Sequence, residues 1–175
     1  MNGAKKLACV VVVCAAAMTA GAADVTVDFS RKTGEINPRL HSSGCAPRLY
    51  PRAIRNDDGT LNKCWYSMKL FGDFVKAAKA KVAVKVDAKK EGTIAAVAGL
   101  SEDGKTASIV VVDYRGKSDK LSVDVKGLCG VKAASALVLD NTCDLMPVPV
   151  DFRGGTICLP RSDENSAAYL VTLEL

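Results

Sequence analysis

The chain has 175 residues, 24 of them Lys or Arg and 19 Asp or Glu, with a formal net charge of +5 at pH 7. That balance is only mildly basic, and no Lys/Arg block is interleaved with aromatic residues, so nucleic acid is not an expected partner. The seven cysteines include no CxxC spacing and His41 is the sole histidine, so neither a metal site nor another cofactor is expected.

Residues 1–23 read as an export leader. Lys5 and Lys6 form a basic start, a Val- and Ala-rich stretch follows over 7–20, and Ala20, Gly21, Ala22 and Ala23 supply small residues for cleavage. The apolar stretch falls short of the roughly 20 residues that span a bilayer. Cleavage before Ala23 or Asp24 would release a periplasmic or extracellular protein with no membrane attachment. It would also remove Cys9 and Cys14, leaving an odd number of thiols in an oxidising space. The leading disulfide expectation is Cys45–Cys64, because both lie in the least regular part of the chain. Closing such a loop stabilises by about 3 kcal/mol. The competing reading is that Cys45, Cys64, Cys129, Cys143 and Cys158 are small buried hydrophobes.

The mature chain divides into a strand and irregular loop over 24–61, a helical segment over 62–80 and a β-sandwich over 81–175. Val25, Val27 and Phe29 alternate with Thr26 and Asp28, the period of a half-buried strand, and residues 31–34 read as a turn. Pro38, Gly44, Pro47, Pro51 and Gly59 punctuate a long loop. The one good helix covers 62–78. Trp65, Met68, Phe71 and Val75 recur at helical spacing beside Leu70 and Phe74, and Thr60 or Asn62 can cap the start. Trp65, the single tryptophan, is expected in packing rather than in sugar stacking because it lies on this stripe.

After Lys81 the chain reads as strands and turns. Val82, Val84 and Val86 alternate with charged residues. Segments 93–100 and 107–114 flank an Asp103-Gly104 turn, and 121–125 and 134–139 follow. Segments 148–152 and 156–159 flank Gly154-Gly155, with Pro149 marking an edge strand, and 167–175 closes the chain. Short strands at this spacing predict a mainly β fold: an antiparallel β-sandwich of about eight strands with one helix on its N-terminal side.

Catalytic chemistry is hard to find. Glycoside cleavage needs two carboxylates at a fixed separation, whereas Asp57-Asp58, Glu102-Asp103 and Asp163-Glu164 all fall in predicted turns. No Ser sits in a nucleophile elbow and no glycine-rich phosphate loop opens a helix. No catalytic, cofactor-binding or metal residue is therefore assigned.

Three fragments, in order, resemble a known family. Val25-Thr26-Val27-Asp28 running into Gly34-Glu35-Ile36-Asn37-Pro38 resembles the opening of family 39-type glycoside hydrolases. Trp65-Tyr66-Ser67-Met68-Lys69-Leu70-Phe71-Gly72 resembles the last helix of their catalytic barrel, and 94–100, 109–114 and 169–173 resemble their C-terminal accessory β-sandwich. The resemblance implies that the N-terminal strand joins the C-terminal sandwich. It also implies a missing (β/α)8 barrel of about 250 residues, with no Asn-Glu-Pro acid/base motif anywhere in this chain.

The expectation is thus an exported, non-enzymatic β-sandwich module that binds a glycan or another exported protein. The alternatives are an inactive remnant of an internally deleted hydrolase and an enzyme with an unfamiliar site. Trp65, Met68, Phe71 and Val75, which barrel neighbours would cover in the resembling enzymes, are expected to dock the helix on the sandwich and leave an apolar patch for a partner or a second copy.

Overall fold

A computed structural model describes residues 23–37, 54–87, 89, 93–114, 120–160 and 166–175. In chain order the elements are β1 (Val25–Glu35), α1 (Lys63–Ala77), β2 (Ala80–Val86), β3 (Ile94–Leu100), β4 (Thr106–Tyr114) and β5 (Lys120–Lys126). They continue with β6 (Ala133–Leu139), β7 (Asp144–Val148), β8 (Asp151–Arg153), β9 (Thr156–Pro160) and β10 (Ser166–Glu174). The strands hydrogen-bond in the order β7-β6-β10-β4-β3-β2-β1-β5-β9-β8. The expected mainly β architecture with one helix is what forms.

The weakest seam in this sheet is between β2 and β3. They pair only at Ala80↔Leu100 and Lys81↔Gly99, while every neighbouring ladder is longer. The sheet curls there, and the inner faces on either side of the seam enclose one core. Val25, Val27, Leu121, Val123, Ile157 and Leu159 line one side; Ile109, Val111, Val138, Tyr169, Val171 and Leu173 line the other. Alternation along each strand puts these residues inward. Tyr169 is fully buried, and its hydroxyl donates to the Pro160 carbonyl at 2.8 Å, which spares the core an unpaired polar group. Gly99 is demanded at the seam: a Cβ there would lie 2.7 Å from the Ala80 carbonyl oxygen and 2.7 Å from Ile36 Cδ1.

β1 joins the C-terminal sheet, as the family resemblance implies, and it lies in the interior of the sheet. It runs antiparallel to β2 and parallel to β5, from Val25↔Val123 to Asp28↔Lys126. This parallel pair departs from the all-antiparallel expectation. Parallel neighbours need a long crossover, and the helix and three strands between β1 and β5 supply it. Two further details differ. The expected turn over 31–34 is strand, with register shifts between Asp28 and Lys32 and between Lys32 and Gly34 absorbing the irregularity. The single strand expected over 148–152 is split around Pro149 into β7 and β8, which lie at opposite edges of the sheet, so the described residues form ten strands rather than about eight.

The helix starts where a cap permits. Asn62 Oδ1 accepts from the amides of Cys64 at 3.0 Å and Trp65 at 3.3 Å. It then packs on the outer face of the sheet, where Leu70, Phe74 and Val75, followed by Ala78, meet Ile36, Val110, Leu139 and Leu170 in a second core. The helix therefore docks on the sheet rather than standing apart.

Candidate functional site

The helix stripe is rotated from its predicted direction. Val75 is buried as expected, Trp65 and Phe71 are half-buried, and Met68 is 38% exposed. Leu70 and Phe74, flanking the predicted stripe, do the packing, with Tyr66 and Phe71 at the margin. The sheet beneath the helix selects that face because Val110, Leu139 and Leu170 project from three adjacent strands. Trp65 meets Tyr66 edge-on, with ring centroids 5.1 Å apart at 89°. Tyr114 is exposed at the end of β4, and Tyr50 lies outside the described residues.

At the helix start a shallow cavity of about 350 Å³ is lined by Asn56, Leu61, Asn62, Lys63, Cys64 and Asp144. Lys63 Nζ closes one wall, donating to Asp144 Oδ1 at 2.5 Å and to the Cys143 carbonyl at 3.1 Å. This ties the first turn of α1 to the start of β7. Beside it Leu145 adopts φ 57°, a left-handed conformation unusual for a branched residue, and packs into the helix-side core. A second tie fixes the start of β1. Asp24 Oδ2 accepts from the Ser122 amide at 2.8 Å and hydroxyl at 3.0 Å. Residues 98 apart in sequence meet here only because β1 and β5 run parallel, so no local pattern could have announced the pair.

Asp58 and Asp103, in turns, and Asp28, in β1, are each held below the usual carboxylate range, first by a side-chain hydrogen bond from Thr60, Ser101 and Ser30 respectively. A general acid for glycoside cleavage needs the opposite shift. Asp140 is buried and spends one oxygen on Thr142 N at 2.8 Å, Thr142 Oγ1 at 2.9 Å and Cys143 N at 2.7 Å, shaping the β6–β7 turn. Among the described residues no three His, Cys, Asp or Glu side chains group as metal ligands do, and His41 lies outside them.

Cys64, Cys129, Cys143 and Cys158 carry free thiols, Cys64 and Cys129 exposed. Cys45, the partner expected for Cys64, lies outside the described residues. The reading of these cysteines as buried hydrophobes does not fit the two exposed ones.

No family model and no curated protein matches the sequence. Solved structures do match in shape. A glycoside hydrolase family 30 endoxylanase from Clostridium papyrosolvens aligns with a TM-score of 0.56 at 12% identity, covering 83% of this chain and 41% of that one. A family 30 subfamily 8 xylanase from Clostridium acetobutylicum gives 0.53 at 15% identity, covering 69% and 30%. A family 44 xyloglucanase from Paenibacillus polymyxa gives 0.54 at 13% identity, covering 69% and 24%. This chain therefore spans well under half of each.

These likenesses support a glycoside hydrolase-related fold without singling out the family 39 type. One expectation changes. The expectation of a non-enzyme is overturned, because the structures this chain is similar to are themselves glycoside hydrolases. At 12–15% identity a missing sequence motif is no argument against activity. What the fold supports directly is coarser: this chain has a glycoside hydrolase-related fold.

Proposed function

We propose that the chain is an exported, carbohydrate-associated protein that uses a glycoside hydrolase-type β-module to engage a polysaccharide of the xylan, xyloglucan or glucan class. The observation that supports this most is the placement of β1. A strand from before the helix is inserted between β2 and β5 of a sheet otherwise built after it, and two xylanases and a xyloglucanase superpose on 69–83% of this chain. Export rests on the leader at residues 1–23, whose small residues end just before Asp24, the residue clasped by Ser122. No helix among the described residues is long and apolar enough to cross a membrane.

Affinity electrophoresis of the purified mature protein through gels containing xylan, xyloglucan or carboxymethyl cellulose tests the reading, with reducing-sugar release measured on the same polymers. Retardation by one polymer, or release from it, supports the proposal. Neither effect with any of the three overturns it. That outcome favours the second reading, a remnant of an internally deleted hydrolase, which is motivated by the short interval over 38–61 and by the 24–41% coverage of the neighbours.

A further inference from the structure

Building on the export reading, we infer that the leader can be removed only before this sheet closes: insertion of β1 between β2 and β5 seals the cleavage junction, and the strand order keeps it open until β5 has been made. The bonds concerned are Ala22–Ala23 and Ala23–Asp24, which follow the small residues of the leader.

Extended peptides are gripped through main-chain hydrogen bonds. Whether a bond can be cut is therefore decided by the burial and hydrogen bonding of the backbone around it. On the carboxyl side of this junction that backbone is engaged. The Asp24 amide donates to Ser122 Oγ at 3.2 Å, and the Asp24 carbonyl accepts from the Asp87 amide at 2.9 Å. The Asp24 carboxylate accepts from the Ser122 amide and hydroxyl in turn. Val25 is 0% exposed and is flanked on both sides, by Val86 of β2 and Val123 of β5. An edge strand can peel away to admit an enzyme. β1 has a neighbour along each side, so releasing the residues after the bond means drawing a strand out of the interior of the sheet.

The topology also supplies the time in which the leader can be cut. A hairpin closes within about 1–10 μs, so a strand next to the leader that paired with its immediate successor would seal the junction at once. β1 has no such partner: α1 precedes β2, and β2, β3 and β4 precede β5. Ser122 follows Asp24 by 98 residues. At about 5–20 residues per second of synthesis, roughly 5–20 s pass before it is made. Once the sheet has closed, cutting follows the population of the opened form. Native domains open with equilibrium constants that favour the closed form by about 10³–10⁸. The folded precursor should thus be cut at least about a hundredfold more slowly than the chain during synthesis.

Cell-free translation of the full chain tests this. Purified signal peptidase in detergent micelles is supplied either during synthesis or after the released chain has folded, and circular dichroism of purified precursor in the same micelles checks the fold. Mass spectrometry should find chains beginning at Ala23 or Asp24 in the first arm and intact precursor in the second. Val123→Asp sets a carboxylate in the core opposite Val25, far in sequence from the leader. It keeps β1 from seating, so its precursor should be cut by late enzyme as readily as by early enzyme. Should this variant aggregate, the two wild-type arms decide alone. Late cleavage of the folded wild type as fast as early cleavage overturns the proposal while leaving the leader in place. A soluble Val123→Asp precursor that resists late enzyme also overturns it, since the fold is then not what protects the junction. Cleavage in neither arm removes the leader itself, and the proposal with it.

Discussion

Replacing Phe74 by Ala tests whether the helix is part of the folded unit. Phe74 is 1% exposed and lies in a cluster with Leu70, Val75, Ala78, Ile36, Val110, Leu139 and Leu170. Removing a buried aromatic ring loses its transfer free energy and leaves a cavity, which together cost about 3–5 kcal/mol. Against a total stability of about 5–15 kcal/mol that is a large fraction. In a domain of this size each kcal/mol moves the melting temperature by about 2–4 °C, so a fall of about 6–20 °C is expected. Met68 on the same helix is 38% exposed, and Met68→Ala should stay within about 0.5 kcal/mol of the parent. Urea unfolding followed by far-ultraviolet circular dichroism reads both, with an unchanged slope showing that the unfolding unit is the same. Equal midpoints for Phe74→Ala and the parent would refute the docking of α1 on the sheet and leave the helix detached.

Three further outcomes are expected. Deleting β1 up to Arg31 removes a strand from the interior of the sheet, and the truncated protein should lose its cooperative melting transition; a preserved melting temperature would contradict the placement of β1. Gly99→Ala forces a Cβ to 2.7 Å from a backbone oxygen and should lower stability by about 1–3 kcal/mol in the same urea assay, the usual cost of overpacking. Ser101→Ala deletes the hydrogen bond that holds Asp103 low, so the Asp103 carboxyl, followed by NMR, should titrate closer to the usual carboxylate range. Because the folded-state shift is downward, the stability linked to Asp103 is present above the unfolded value and is lost as pH falls through the folded one; the variant should show less of this acid loss.

Much of the architecture follows from period alone. Val25-Thr26-Val27-Asp28-Phe29 declares a strand with one buried face, Asp103-Gly104 and Gly154-Gly155 declare hairpins, and the stretch around Leu70 and Phe74 declares a helix, because side-chain direction repeats every 2 or 3.6 residues and turn residues mark the ends. Pairing is a different matter. Which strand lies beside which depends on contacts between residues far apart, so nothing local could place β1 parallel to β5, bring Asp24 to Ser122, or bring Lys63 to Asp144. The rotation of the helix stripe toward Leu70 and Phe74 was decided by the outer faces of β4, β6 and β10, which the helix meets only in the folded chain.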